Sequence, residues 1–395
     1  MEDRPTVAAA TGEGKESGGT AKSLDKAKNA TGERTSSRKS EIVVGREEGA
    51  GSDRDAEEKE EEELVIAALY KFFDLKNYKE LRNHLLARCE LNGVTGVLIV
   101  APEGINGTIC GTRKGIDKVV TFIKSLEGVG ELSYKESKIR LNERPEGAFF
   151  RMRVRIKKEI VTMGMTGLDP AKTVGTYIEP KDWNALIDRE DVRLIDTRNT
   201  YETLIGTFKG AVDPKTESFR QFPEWVAKNL DPKRDKSVAM FCTGGIRCEK
   251  ATSYLLQKGF ENVYHLKGGI LNYLKEVPEE KTMWKGECYV FDERVSVSHG
   301  LRVGTYGKCR ACRRPLSEEG KKHQHYEEGA SCELCYSEYT EQQRQRFRTR
   351  HRAIGLAKAR GVPHLGSAAR SAKETKKRAR AWAELTEEPS STATI

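Results

Sequence analysis

The 395-residue sequence predicts a multidomain protein of mixed α/β and α+β class, and three observations carry that reading. Residues 64–164 alternate strand-like and helix-like runs in the order β-α-β-β-α-β, the split βαβ pattern of a ferredoxin-like sandwich. Residues 176–285 alternate strands with helices, which predicts a parallel sheet covered on both faces. Residues 286–366 hold two Cys-x2-Cys pairs and then a basic helical stretch.

The first block opens on Leu64–Phe73, an apolar strand that follows the acidic run Glu60–Glu63. Tyr78–Leu91 places Tyr78, Leu81, Leu85 and Leu86 close to helical spacing. Thr95–Val100 and Ile105–Cys110 read as strands around Pro102-Glu-Gly104, and Gly115–Leu126 as a helix. Glu131–Arg140 and Arg151–Ile156 are further strand candidates. In the second block Val192–Asp196, Val238–Cys242 and Val263–Leu266 are strands. Helices are predicted at Phe219–Asn229, entered through Ser218, at Cys248–Lys258, stopped by Gly259, and at Ile270–Lys275.

Residues 1–63 hold 17 Asp/Glu and 11 Lys/Arg but six residues from V, I, L, M, F, W, Y and C, so they predict a disordered polar extension. Residues 367–395 predict a disordered basic tail. No apolar run approaches the roughly 18 residues of a membrane span, which argues against a membrane partner. The net charge of +9 equals the excess carried by residues 344–395, 13 Lys/Arg against 4 Asp/Glu. Such a basic segment favours a polyanion, RNA or DNA, although a solvated face has the same composition. Nine cysteines without a secretory leader point to a reducing, cytoplasmic compartment. Lys376-Lys-Arg-Ala-Arg380 leaves a nuclear location open.

The sharpest chemical feature is Cys242-Thr243-Gly244-Gly245-Ile246-Arg247-Cys248, between a strand and a helix. A cysteine there has its thiolate stabilised by backbone N–H groups and the helix dipole. Gly244 and Gly245 allow the backbone to curl into an anion nest, and Arg247 adds a positive charge at the rim. Four residues separate Cys242 from Arg247, where tyrosine phosphatases have five, so the cradle is small for phosphate and resembles the persulfide loop of rhodaneses. Asp196-Thr-Arg198 and Phe208-Lys-Gly-Ala211 resemble flanking rhodanese segments. Thr243 stands where many thiosulfate sulfurtransferases carry a basic residue, which disfavours thiosulfate as donor. Cys248 either resolves an oxidised Cys242 or packs in the first helical turn.

Cys309-x2-Cys312 and Cys332-x2-Cys335, with 19 residues between the pairs, suit a closed tetrahedral S4 site for structural zinc. Iron–sulfur clusters typically use other spacings, and His323 and His325 could substitute as ligands, although a histidine there is more often a loop residue. Thr340–Arg360 carries Arg344, Arg346, Arg348, Arg350 and Arg352, with Phe347 and Ile354 seven apart as a docking stripe. The remaining faces would offer guanidinium groups to RNA phosphates.

Four motifs then occur in order: Ala101-Pro-Glu-Gly-Ile-Asn-Gly-Thr108, Phe149–Gly164 with Glu159-Ile-Val-Thr162, Cys242–Ala251, and Trp284–Leu301 with Val290-Phe-Asp-Glu-Arg-Val295. Together with Gly355–Gly366 they resemble the rhodanese-domain tRNA uridine(34) hydroxylases, which have an acylphosphatase-like N-terminal domain. The resemblance implies oxygen-dependent 5-hydroxylation of the wobble uridine of tRNA, with Cys242 catalytic and molecular oxygen as co-substrate. No flavin, haem or non-haem iron motif is visible in the sequence, so the electron donor is unknown, and a sulfur or electron donor protein is a further expected partner. Two other readings follow from the residues: a sulfurtransferase carrying a persulfide, and a non-catalytic zinc-stabilised RNA-binding protein.

Overall fold

The computed structural model describes residues 63–140, 147–165 and 167–361. The polar extension up to residue 62, residues 362–366 and the basic tail with Lys376–Arg380 lie outside the described residues.

The first domain comprises β1 (Glu63–Phe72), α1 (Tyr78–Leu91), β2 (Thr95–Ala101), β3 (Gly104–Gly111), α2 (Arg113–Lys124), β4 (Ser133–Arg140) and β5 (Met152–Ile156). Its sheet has the order β4-β1-β3-β2-β5, a ferredoxin-like arrangement extended by β5 pairing parallel to β2. All seven elements read from the sequence are present, with β5 as the strand beyond the six of the βαββαβ order. The two-residue periodicity of a strand divides β1 between environments. Val65, Ala67 and Leu69 pack in the main core with residues of α1 and α2, while Ile66, Ala68 and Tyr70 line a cavity on the other face.

The second domain is built on a four-stranded parallel sheet, ordered β6 (Thr176–Ile178), β10 (Asn262–Leu266), β9 (Ser237–Phe241) and β7 (Val192–Asp196). Every residue of β9 is buried, as a strand covered on both faces requires. Val238 and Met240 pack on one side, with α5 (Phe222–Asn229) and α6 (Ile246–Gln257). Ala239 and Phe241 pack on the other, with α3 (Pro180–Ile187) and α7 (Gly269–Glu276). The short α4 (Thr200–Thr203) and β8 (Gly206–Phe208) connect β7 to this layer. Three helix bounds differ from the sequence reading. The predicted helix 219–229 is a one-turn 3-10 segment, capped by Ser218, followed by α5. α6 starts two residues earlier than expected, so Arg247 lies in its first turn rather than in the loop. α7 starts one residue earlier than expected and ends one later.

Cys288, Val290 and Val297, from the start of the cysteine-bearing block, complete the α3/α7 core together with Trp284. β11 (Trp284–Gly286) pairs with β8, and β12 (Cys288–Tyr289) with β13 (Ser296–Val297). Beyond them two short strands, β14 (Gly307–Lys308) and β15 (Pro315–Leu316), frame a cysteine knuckle, and α8 (Glu341–Ala359) follows, capped by Thr340.

A buried lysine joins the first two domains. Lys250 on α6 donates to both carboxylate oxygens of Glu103 at 2.9 and 2.8 Å, to Glu159 at 2.7 Å and to the Val161 carbonyl at 3.1 Å. Glu103 also accepts from the Ile160 amide, and Glu159 from the amides of Met163 and Gly164. Two of the sequence motifs thus meet a third at one ammonium group. Lys250→Met should destabilise the chain by about 3 kcal/mol, the lower end for a broken buried ion pair because both carboxylates keep some water. For Glu159 burial raises the pKa, but Lys250 and the two amides outweigh it and hold it below the usual value. Its stabilising contribution is present above the unfolded carboxylate pKa and lost as pH falls through the lower folded value. Urea unfolding of both proteins across the acid range should therefore show a gap that narrows with acidification.

Candidate active site

Cys242 follows the last residue of central strand β9, the position at which open parallel sheets bind ligands. Its Sγ accepts from the Gly245 amide at 3.1 Å. Gly245 has φ +102°, outside the ordinary range of L-residues, and an added Cβ would stand 2.9 Å from the Tyr70 hydroxyl. The loop carbonyls are held from beneath, where Ile270 and Leu271 at the start of α7 donate to Cys242 and Thr243 at 2.9 and 3.1 Å. Gly269 permits that approach, since a Cβ there would meet the Cys242 carbonyl at 2.5 Å.

Arg247 does not stand at the rim as an open charge. It is buried and forms a two-pronged ion pair with Glu202, both contacts at 2.7 Å, while the Thr243 hydroxyl donates to the same carboxylate at 3.2 Å. Asp196 and Arg198 lie one step further back. Arg198 is fully buried, donates to Asp196 at 2.9 and 2.6 Å and reaches the Glu202 and Gly206 carbonyls. The two therefore brace the segment carrying Glu202 rather than touching the sulfur. Glu202 escaped the sequence reading; its position four residues after Arg198 was the available signal.

Burial alone would raise the Cys242 pKa. The Cys248 thiol, the Arg247 charge and the amides of Cys248 and Gly245 outweigh it and bring the value down to about 5. Cys248 is raised well above the ordinary thiol value, first by burial and then by the neighbouring Cys242 anion. Its sulfur also lies 3.6 Å from the Thr197 hydroxyl. The Cys248 side chain thus lies beside the Cys242 sulfur in the buried loop and favours its anion.

Above the sulfur lies a cavity of about 800 Å³, within the range of small-molecule sites. The first domain contributes Tyr70, Thr108 and Lys135, the loop Cys242, the first turn of α6 Arg247, and the segment after α7 Phe291. Phe291 is 57% exposed, an unusual state for a large aromatic side chain, and its ring faces Arg247 and Tyr289. Arg294 ties this segment to the first domain through Ser137 at 2.8 Å.

The four knuckle cysteines converge with all sulfurs within 4.8 Å of one another. The pairs Cys309–Cys335, Cys312–Cys332 and Cys332–Cys335 are 3.9, 3.8 and 3.7 Å apart. A tetrahedron with metal–sulfur bonds of about 2.3 Å has edges of about 3.8 Å, so the cluster could hold a metal ion without rearrangement. His323 and His325 are not part of it; the rings lie against each other, and His325 stacks on Tyr336.

The five arginines of α8 separate into two groups. Arg344 donates to the carbonyls of Tyr336 and Tyr339, and Arg348 pairs with Glu327 and Glu341. Arg350 donates to the Arg310 carbonyl and lies over the Phe347 ring. These contacts, with Phe347 against Tyr339, dock the helix on the knuckle. Arg346 and Arg352 are exposed and have no ion-pair partner among the described residues.

A family model described as UPF0176 acylphosphatase like domain matches residues 64–160, and one described as Rhodanese-like domain matches residues 179–276. The tRNA uridine(34) hydroxylase of Sinorhizobium medicae (strain WSM419) is 53% identical over 305 residues, covering 77% of this chain and 95% of that protein. Among solved structures, a rhodanese-like domain from Anabaena sp. is 18% identical, covers 28% of this chain and 78% of its own, and gives a TM-score of 0.24. An acylphosphatase from Coxiella burnetii is 14% identical, covers 26% and 99%, and gives 0.19.

The site predicts a thiolate visible by its ultraviolet absorbance, with a midpoint at about pH 5 that is lost in Cys242→Ser. The anion is present above that value and disappears below it. Cys248→Ala should move the midpoint upward, toward the ordinary thiol value of about 8.5.

Proposed function

The chain belongs to the tRNA uridine(34) hydroxylase family, and from that premise we propose that it hydroxylates C5 of the wobble uridine in tRNA, with Cys242 as nucleophile. The observation that carries the reading is a cysteine whose sulfur accepts from the Gly245 amide at the floor of a cavity large enough for an extruded nucleotide. Enzymes that modify a base draw it out of the stack into such a pocket, and unpaired loop bases are the ready substrates in RNA. The sulfur adds to C6, the ring becomes electron-rich at C5, C5 is oxidised, and elimination of the sulfur releases 5-hydroxyuridine. The Gly245 amide and the Cys248 thiol hold the sulfur anion, and the Arg247–Glu202 pair fixes the loop around it. Molecular oxygen is the co-substrate on this reading, and electrons come from a separate donor.

The four knuckle cysteines would hold a structural zinc, and four thiolate bonds would leave no position for water. It supports α8, whose Arg346 and Arg352 meet tRNA phosphates. The reaction belongs in the cytoplasm, where tRNA is the partner. No helix of the described residues is long and apolar enough to cross a membrane.

Mass spectrometry of total tRNA from a deletion strain tests the activity. Loss of 5-hydroxyuridine is expected, restored by the wild-type chain and not by Cys242→Ser. Loss of thiolated uridine alone would instead indicate persulfide transfer. Purified protein should contain one zinc per chain, and Cys309→Ala should lower both metal content and the thermal stability of the knuckle. Replacing Arg346 and Arg352 with Glu should weaken tRNA binding and reduce the slope of log affinity against log salt by about 2, one per lost phosphate contact. An unchanged slope would place the RNA contacts elsewhere.

A further inference from the structure

Lys135 is a residue that no sequence motif singled out. It projects from β4, the edge strand of the first domain, and crosses to the sulfur loop of the second, where its Nζ donates to the Gly244 carbonyl at 3.1 Å. Its stem is confined by the turn before α7, since a Cβ on Gly268 would stand 3.0 Å from Lys135 Cε. Its head lies 5.7 Å above the Tyr70 ring, with the Ser133 hydroxyl 3.4 Å away. No carboxylate within 4 Å neutralises it among the described residues. The charged groups that face it are Cys242 and Glu249, and Glu249 accepts from Tyr70 at 2.8 Å. An ammonium has three donors, so at least one remains for a molecule in the cavity that Lys135 and Cys242 both line.

We propose that Lys135 is a catalytic residue, the acid that protonates the uracil O4 as the Cys242 sulfur adds to C6. The proposal rests on the hydroxylase reading for the identity of the ring. In this step the thiolate electron pair forms the S–C6 bond. The C5–C6 π pair moves to C4–C5, the C4–O4 π pair moves onto O4, and the Lys135 proton passes to O4. A neutral enol and a neutral amine result. No electrons leave the pair of molecules, so the step needs no oxidant or reductant. Without Lys135 an enolate would form in a partly dry site, where uncompensated charge is costly. Desolvation lowers the Lys135 pKa, against the opposing pull of Cys242 and Glu249, which makes it a better acid than a surface lysine.

The enol is nucleophilic at C5, so reversible addition exchanges the C5 hydrogen with solvent even without oxygen. The test incubates the full chain anaerobically in D2O with a tRNA transcript bearing unmodified uridine at position 34, and follows deuterium at C5 by mass spectrometry. Wild type should exchange, and Cys242→Ser should not. Lys135→Met should slow turnover by about 100-fold, the usual contribution of a general acid, with KM for tRNA within about twofold. Lys135→Arg keeps a positive charge and a donor for Gly244 but holds its proton too tightly to donate, so it should fold normally, bind tRNA and remain at least about tenfold slow. Full exchange in either variant, or a loss confined to KM, would overturn the proposal. Wild type that hydroxylates uridine in air yet shows no anaerobic exchange would overturn the addition step and leave the hydroxylase reading standing. Wild type that does neither would remove both.

Discussion

The most buried charged link between the sulfur-bearing helix and the first domain is one ammonium group, that of Lys250, and the cavity lies beside it. Glu103 lies in the turn between β2 and β3, and Glu159 in the segment after β5; both close on a side chain two residues beyond Cys248. An apolar cluster of Tyr70, Phe72, Ala101 and Ile160 with Ile246 of α6 joins the domains too, but apolar contacts tolerate sliding. Three charged groups and their amide donors tolerate far less, since displacement leaves partly buried charge unpaired. The register between the N-terminal sheet and the Cys242 loop is set there, and with it the approach of Tyr70 and Lys135 to the loop.

The electrostatics of the loop follow a similar economy. Arg247 is neutralised by Glu202, so the pair contributes order and a modest field rather than a free cation. The Cys242 anion is favoured by the Cys248 side chain, then by the Arg247 charge, and then by the Cys248 and Gly245 amides, with α7 fixing the loop carbonyls so that those groups stay aimed. Such preorganised donors need no reorganisation when charge on sulfur is made or consumed. A loop so held would stabilise a persulfide as well as a thiolate. What separates this site from a bare sulfur carrier is the enclosure above it, formed by the first domain and the segment with Phe291.

The knuckle and α8 show how a basic helix can be part fastening and part surface. Arg344, Arg348 and Arg350 are committed to carbonyls and carboxylates of the knuckle. Arg346 and Arg352 alone of the five have no such commitment. Counting arginines overstates the charge available to a polyanion, because a guanidinium with five donors readily serves as a structural clamp.

Much of this was legible in the sequence where the determining residues are neighbours. Periodicity identified α1 and the strands around it, and glycines beside a cysteine at a strand end identified the nest. The two Cys-x2-Cys pairs identified the knuckle, because each tight turn carries two ligands. A resemblance spread over four motifs identified the family. Other features could not be read that way. The partner of β5, a strand the sequence did suggest, was set by β2 far along the chain, and Lys135, Lys250 and Glu202 look like surface charges in their own segments. Lys250 lies 147 residues from Glu103, and Lys135 lies 109 from Gly244. Local sequence determined which backbone groups could cradle a sulfur, since adjacent residues and their dihedral angles suffice for that. Only the tertiary structure decided which charges are buried, paired or left facing the cavity, because desolvation and Coulomb energy depend on neighbours that chain order does not bring together.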